Sequence, residues 1–115
     1  MASTVFTVQD VQSGQRHTLA LSGELDIATA PDLEEAVEGL RENGGGAIVL
    51  DLSELTFMDS TGLQAILAAE RLCEGRGYDF WVTGVNGPVR RLFDLTGAFG
   101  ALRFEPRAAG ATGER

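Results

Sequence analysis

Four consecutive apolar residues, Ala47-Ile48-Val49-Leu50, constrain this chain more than any other feature. In an extended strand successive side chains point to opposite faces, so this run puts hydrocarbon on both sides. Such a strand belongs at the centre of a sheet covered by helices, the usual setting of parallel strands. The flanks agree. Leu33, Ala36, Val37 and Leu40 recur at helical spacing before it, and Leu63, Ile66 and Leu67 do so after it.

The rest of the order follows outward from that strand. Residues 5–11 read as a strand with Phe6 and Val8 on one face, and residues 18–23 as a second with Leu19 and Leu21 alternating. Gln12-Ser13-Gly14-Gln15 between them is turn chemistry, which makes the pair an antiparallel hairpin. A first helix is predicted from about Thr29, whose hydroxyl is placed to cap the first turn. Pro31 suits that turn, and Asp32, Glu34 and Glu35 suit its positive end. Asn43-Gly44-Gly45-Gly46 should end it. A second helix is predicted over residues 61–73, closed by Gly75 and Gly77, and Phe80-Trp81-Val82 is another buried strand. Asn86-Gly87-Pro88 opens a third helix carrying Val89, Leu92 and Phe93, which Gly97 stops. Leu102 and Phe104 mark a closing strand. The order β-β-α-β-α-β-α-β predicts one α/β domain over residues 1–105, with a mixed, mainly parallel sheet of about five strands. Residues 106–115 carry no periodic apolar residue and are expected to be a disordered tail.

Composition removes several functions. No apolar run reaches the roughly 18 residues of a membrane span, and the start lacks a signal peptide. The expectation is a soluble cytoplasmic protein with no membrane contact. The single Cys73 cannot form an internal disulfide, fits a reducing compartment, and reads as a small core residue. Nine basic residues stand against seventeen acidic ones, a formal charge of -8, which opposes direct nucleic-acid binding and favours a partner with a basic surface. All nine are arginines. Without lysine there is neither a Schiff base nor a G-K-[ST] phosphate loop. One histidine and one cysteine cannot build a zinc cluster. His17, among polar residues before a strand, reads as a solvated or satisfied side chain. No cofactor is implied, and the chain is not expected to be an enzyme.

One segment stands out, residues 52–63, which link the central strand to the second helix. Asp59, Ser60 and Thr61 occupy the helix entry, where unpaired N–H groups and the helix dipole favour an anion. A phosphate on Ser60 would sit against those helix-start donors. The loop also falls at the carboxyl end of a parallel strand, where ligands of open sheets collect. By itself Asp-Ser-Thr before an apolar helix is also ordinary capping chemistry. Asp59-Ser60-Thr61-Gly62 resembles the aspartic-protease D-[ST]-G only loosely: it has one residue too many and no second copy. The hydrolase elbow G-x-S-x-G fails because Met58 stands where glycine is required.

Three motifs carry a resemblance. Phe57-Met58-Asp59-Ser60-Thr61-Gly62-Leu63 is similar to the F-M-D-S-[ST]-G-L signature of STAS-domain anti-sigma factor antagonists. Gly23-Glu24-Leu25-Asp26 resembles the family's G-E-L-D at the end of its second strand. Arg90-Arg91-Leu92-Phe93-Asp94-Leu95-Thr96-Gly97, then Phe99 and Arg103-Phe104-Glu105, resemble its third helix and closing strand. The likeness covers about residues 6–105. Family members often add a final amphipathic helix, for which residues 106–115 show no pattern.

The resemblance implies a partner switch. The dephosphorylated antagonist binds an anti-sigma factor that is also a serine kinase, and the sigma factor is released. The kinase phosphorylates the first serine of the motif, and a serine phosphatase resets it. Carried over by position, Ser60 is the phosphorylation site. Asp26, Asp59, Ser60, Thr61, Gly62 and Leu63 form the partner-binding segment. The alternative is a STAS interaction module of another assembly, a stress-signalling complex or a lipid-transport subunit; the intact acceptor serine favours the first reading. Weak nucleotide binding near Asp26 and Ser60 stays open, as does a partner contact by Arg90 and Arg91, which as exposed helix residues read as solvated charge.

Overall fold

The computed structural model describes residues 6–40 and 46–105. Strand β1 (Thr7–Ser13) and strand β2 (Arg16–Leu25) form the hairpin, with Gly14 and Gln15 left as its loop. Pairing runs from Thr7 opposite Ser22 to Ser13 opposite Arg16. The strands therefore continue past the apolar alternation, because backbone ladders need no side-chain pattern. His17 lies within β2 rather than before it, and its Nδ1 meets the Asp10 carboxylate 3.1 Å away across the hairpin.

After helix α1 (Ala30–Glu38) come strand β3 (Ala47–Met58), helix α2 (Ser60–Gly75), strand β4 (Asp79–Thr83) and helix α3 (Gly87–Thr96). The sheet order is β1-β2-β3-β4, with β2, β3 and β4 parallel. Each crossover steps one strand further in the same direction, so right-handed connections put the helices on one face. The core confirms it. Leu19, Leu21 and Leu25 of β2, Ile48, Leu50 and Leu52 of β3, and Phe80 and Val82 of β4 share one buried cluster with Leu33, Val37, Leu63, Ile66, Val89 and Phe93 of the helices.

That layout corrects one expectation. The central strand is helix-covered on one face only. Val49 is 1% exposed yet stands outside the helix-packed cluster. Its register neighbours are Thr18 on β2 and Trp81 on β4, the latter under the Arg103 guanidinium at 4.7 Å from the ring centroid.

Strand β3 corrects another. Residues 52–58 are not a loop: the strand runs to Met58 and a single residue, Asp59, joins it to α2. The ladder with β2 shifts between Ala20 and Ser22 and again between Gly23 and Glu24, and each shift is an extra residue in β3. Core positions after Leu52 therefore come at Leu55 and Met58, a spacing that hides a strand from a search for alternation.

The closing strand shrinks to one bridge, Val82 with Phe104. Val82 N–H donates to the Arg103 carbonyl and Glu105 N–H to the Val82 carbonyl, each at 2.9 Å. Between them, Gly97 ends α3 at φ 78°, a left-handed conformation that glycine adopts freely, and a 3₁₀ turn (Ala98–Gly100) follows. Edge contacts of Phe93 with Phe99 and Phe104, and a tilted contact between the latter two, with centroids 5.3–6.0 Å apart, hold this corner to α3. Helix α1 stops at Gly39, before the glycine run. Asn43, Gly44, Gly45 and the expected tail, residues 106–115, lie outside the described residues.

Candidate functional site

The parallel strands β2 and β3 end together, Leu25 paired with Met58, and two junctions leave the sheet side by side from that pair. Asp59 builds the first. Its backbone is extended (φ -113°, ψ -173°), and its Oδ1 accepts the Gly62 N–H at 3.0 Å, which satisfies one of the unpaired donors of α2. Its N–H points to the Leu25 carbonyl at 3.4 Å, and its own carbonyl accepts the Leu63 N–H at 3.0 Å. Gly62 presses directly on β2: a Cβ there would run into the Leu25 carbonyl and lie 2.9 Å from its Cγ. Only glycine lets the helix start sit this close.

The second junction, between β2 and α1, is knotted by Asp26 and Thr29. Asp26 Oδ1 accepts the Ala28 N–H at 3.0 Å and the Thr29 N–H at 3.2 Å. The Thr29 hydroxyl donates to the Glu24 carbonyl at 2.8 Å and accepts the Asp26 N–H at 3.0 Å. This corrects the capping role read from sequence. Thr29 makes no side-chain cap bond to its own helix; its hydroxyl is spent on the loop behind it.

The segment's residues thus divide. Ser60, the first residue of α2, is exposed, Thr61 is half-buried, and neither hydroxyl has a hydrogen-bond partner among the described residues. Asp26 and Asp59 are half-buried and structurally engaged. Gly62 and Leu63 lie beneath, Leu63 at 4% exposure. Because Asp59 already takes the Gly62 N–H, a phosphate on Ser60 would lie beside that carboxylate rather than replace it. The surroundings are acidic: Glu24, Asp26 and Asp59 each adjoin the Leu25–Met58 pair, Glu54 lies further back opposite Ser22, and residues 23–33 and 53–64 contain no arginine.

Other candidates fall elsewhere. Arg90 and Arg91 are exposed on α3, Arg90 stacking 5.7 Å from the Phe99 centroid. Cys73 is buried in α2, and desolvation pushes its thiol up to about 11, away from reactivity at neutral pH. Among the described residues no side-chain cluster is arranged to hold a metal ion, and no helix is long and apolar enough to cross a membrane. Sequence reasoning missed Ile27, 75% exposed between Asp26 and Ala28; an isoleucine inside a turn was the available signal. It also missed an open cleft of about 560 Å³ past the end of β4, lined by Ser53, Gly84, Asn86, Phe99, Phe104 and Glu105. That cleft is assembled from four separate stretches of chain and has no local signature.

Comparison with known proteins fits this geometry. The family model described as "Mlab, STAS domain" matches residues 8–103. An anti-sigma-B factor antagonist of Staphylococcus aureus is 32% identical over 81 residues, covering 70% of this chain and 75% of that protein. The crystal structure of an anti-sigma factor antagonist from Mycobacterium paratuberculosis superposes with a TM-score of 0.78 at 28% identity, over 91% of this chain and 89% of that one. A sulfate transporter family protein from Wolinella succinogenes shares the fold alone, with a TM-score of 0.67 at 21% identity over 80% of this chain and 75% of that one. With the matched model spanning nearly all the described residues and the antagonists alike in sequence as well as fold, the chain belongs to the STAS-domain family of anti-sigma factor antagonists.

Proposed function

We propose that the chain is the antagonist in a phosphorylation-controlled partner switch. Unphosphorylated, it binds an anti-sigma factor that is also a serine kinase, and the sigma factor is released. The kinase then transfers a phosphoryl group from ATP to Ser60. The Ser60 Oγ–phosphorus bond forms as the bond to ADP breaks, and the hydroxyl proton passes to a base on the kinase. A serine phosphatase hydrolyses the ester and restores binding. The observation that carries this reading is the free, exposed Ser60 hydroxyl at the first position of a helix already capped by Asp59. A kinase can reach that hydroxyl without unfolding anything.

The off state follows from charge. Phosphorylation adds about -1.5 to -2 at neutral pH, beside Asp59 and near Asp26. Breaking a close charge match at an interface costs ~2–5 kcal/mol, roughly a thirty- to several-thousandfold loss of affinity. Asp26 and Asp59 hold the two junctions in shape, Ser60 and Thr61 meet the partner, and Gly62 and Leu63 support them from below.

The test is incubation with ATP and each serine-kinase anti-sigma factor encoded in the source genome, followed by mass mapping. One phosphoryl group on Ser60, absent from Ser60→Ala, is expected. Phosphate on Thr61 or elsewhere ends the reading, as does a Ser60→Asp variant that binds its kinase as tightly as the wild type.

A further inference from the structure

Among the described residues few large apolar side chains are exposed, and two of them, Ile27 at 75% and Phe57 at 42%, stand at the end of the molecule that carries Ser60. Phe57 pairs with Glu24 one step before the strands end. Ile27 lies two residues past Leu25, and Ser60 two past Met58, its register partner, so a single contact patch can cover both. We propose that Ile27 is the apolar anchor of a docking surface beside Ser60, and that the partner meets it with an apolar socket rimmed by basic side chains. The inference rests on the switch reading above and names the chemistry of its partner.

An isolated exposed aliphatic residue is ordinary. Ile27 differs in how it is held. The backbone on both sides is fixed: Asp26 Oδ1 accepts the Ala28 and Thr29 N–H groups, the Asp26 carbonyl accepts the Ala30 N–H at 2.8 Å, and the Thr29 hydroxyl ties Glu24 to Asp26. The side chain therefore projects from a preorganised loop, and little backbone freedom remains to be lost on binding. The acidic residues Glu24, Asp26 and Asp59 each adjoin the Leu25–Met58 pair at this end of the sheet, and residues 23–33 and 53–64 contain no arginine. An apolar centre within a polar rim is how binding hot spots are built, with the rim excluding water. The charge of these residues selects Arg or Lys opposite them, and a phosphate on Ser60 brings charge and bulk that a surface matched to the unphosphorylated tip does not accommodate.

Leu95 on α3 is equally exposed, but Arg90, Arg91 and Asp94 share its helix and no acceptor serine lies there.

The experiment titrates the full unphosphorylated chain against each purified serine-kinase anti-sigma factor of the source genome by calorimetry. It compares wild type, Ile27→Val, Ile27→Ala and Ser60→Asp, and follows Ser60 phosphorylation by the same kinases. Ile27→Ala should weaken binding at least about tenfold, with an unchanged melting temperature. Ile27→Val should keep affinity within a few-fold, and phosphorylation of Ile27→Ala should show a raised KM at unchanged kcat. Wild-type affinity for Ile27→Ala while Ser60→Asp is weakened overturns the anchor and leaves the switch standing. If the wild type binds none of these kinases, both fall. If instead Ile27→Ala abolishes self-association of the chain in sedimentation, the surface takes a second copy and the proposal is wrong.

Discussion

Two junctions leave neighbouring strands at the same edge of the sheet, and they treat their hydroxyls in opposite ways. At the β2–α1 junction the Thr29 hydroxyl bonds both Glu24 and Asp26 and is unavailable. At the β3–α2 junction the Asp59 carboxylate does the capping alone, and the Ser60 hydroxyl beside it is free. Each junction sets an aspartate and a hydroxyl side chain at a helix entry, yet only the β3–α2 junction, with Ser60 and Thr61, has hydroxyls to spare. Location at the carboxyl edge of a sheet is therefore not what marks an acceptor. The division of labour between carboxylate and hydroxyl marks it.

Five substitutions should separate the two junctions. Ile66 of α2 is fully buried in the core that the helices share with the sheet, and Ile66→Ala should cost about 2–5 kcal/mol in chemical denaturation. An unchanged midpoint would mean that Ile66 is not part of that core. Gly62→Ala drives a methyl into the Leu25 carbonyl where the two junctions touch. About 1–3 kcal/mol should be lost despite the better helix propensity of alanine. Thr29→Val strands the Asp26 N–H and the Glu24 carbonyl, and should cost about 1–3 kcal/mol where Thr29→Ser costs much less. Asp59→Ala removes one cap bond and should cost about 0.5–2 kcal/mol, with early amide exchange at Gly62 and Leu63. Ser60→Ala should change stability by less than about 0.5 kcal/mol. A loss as large as that of Thr29→Val would show that the Ser60 hydroxyl is structurally engaged, and the contrast would vanish.

What the sequence disclosed follows from how local each signal is. The helix entry at Asp59, Ser60 and Thr61 was legible because a cap is written in three or four adjacent residues. So was α3, between Pro88 and Gly97. Thr29 was misread because Ser and Thr hydroxyls serve loops as readily as helices, and the choice depends on where the Glu24 carbonyl points. Val49 suggested helices on two faces, whereas its shelter comes with its neighbours in register, Thr18 and Trp81, which are remote in sequence. Asp26 was placed on the correct edge, but its bonds to Ala28 and Thr29 are visible only once the turn is formed. Ile27 was passed over because apolar residues were sought in periodic segments, and a docking residue has no period.

The two extra residues of β3 set the orientation of everything downstream. Each is absorbed where it enters: the core face resumes with Leu55 opposite Gly23 after the first, and with Met58 opposite Leu25 after the second. From Ala20 to Leu25 strand β2 uses six residues, and from Asp51 to Met58 strand β3 uses eight. Losing Ser53 would remove the first bulge, restore plain alternation between Leu52 and Leu55, and leave Met58 inward opposite Leu25. What the bulges add is local twist, and with it the angle at which Asp59 leaves the sheet. The aim of the acceptor serine is thus a matter of strand twist rather than of residue count.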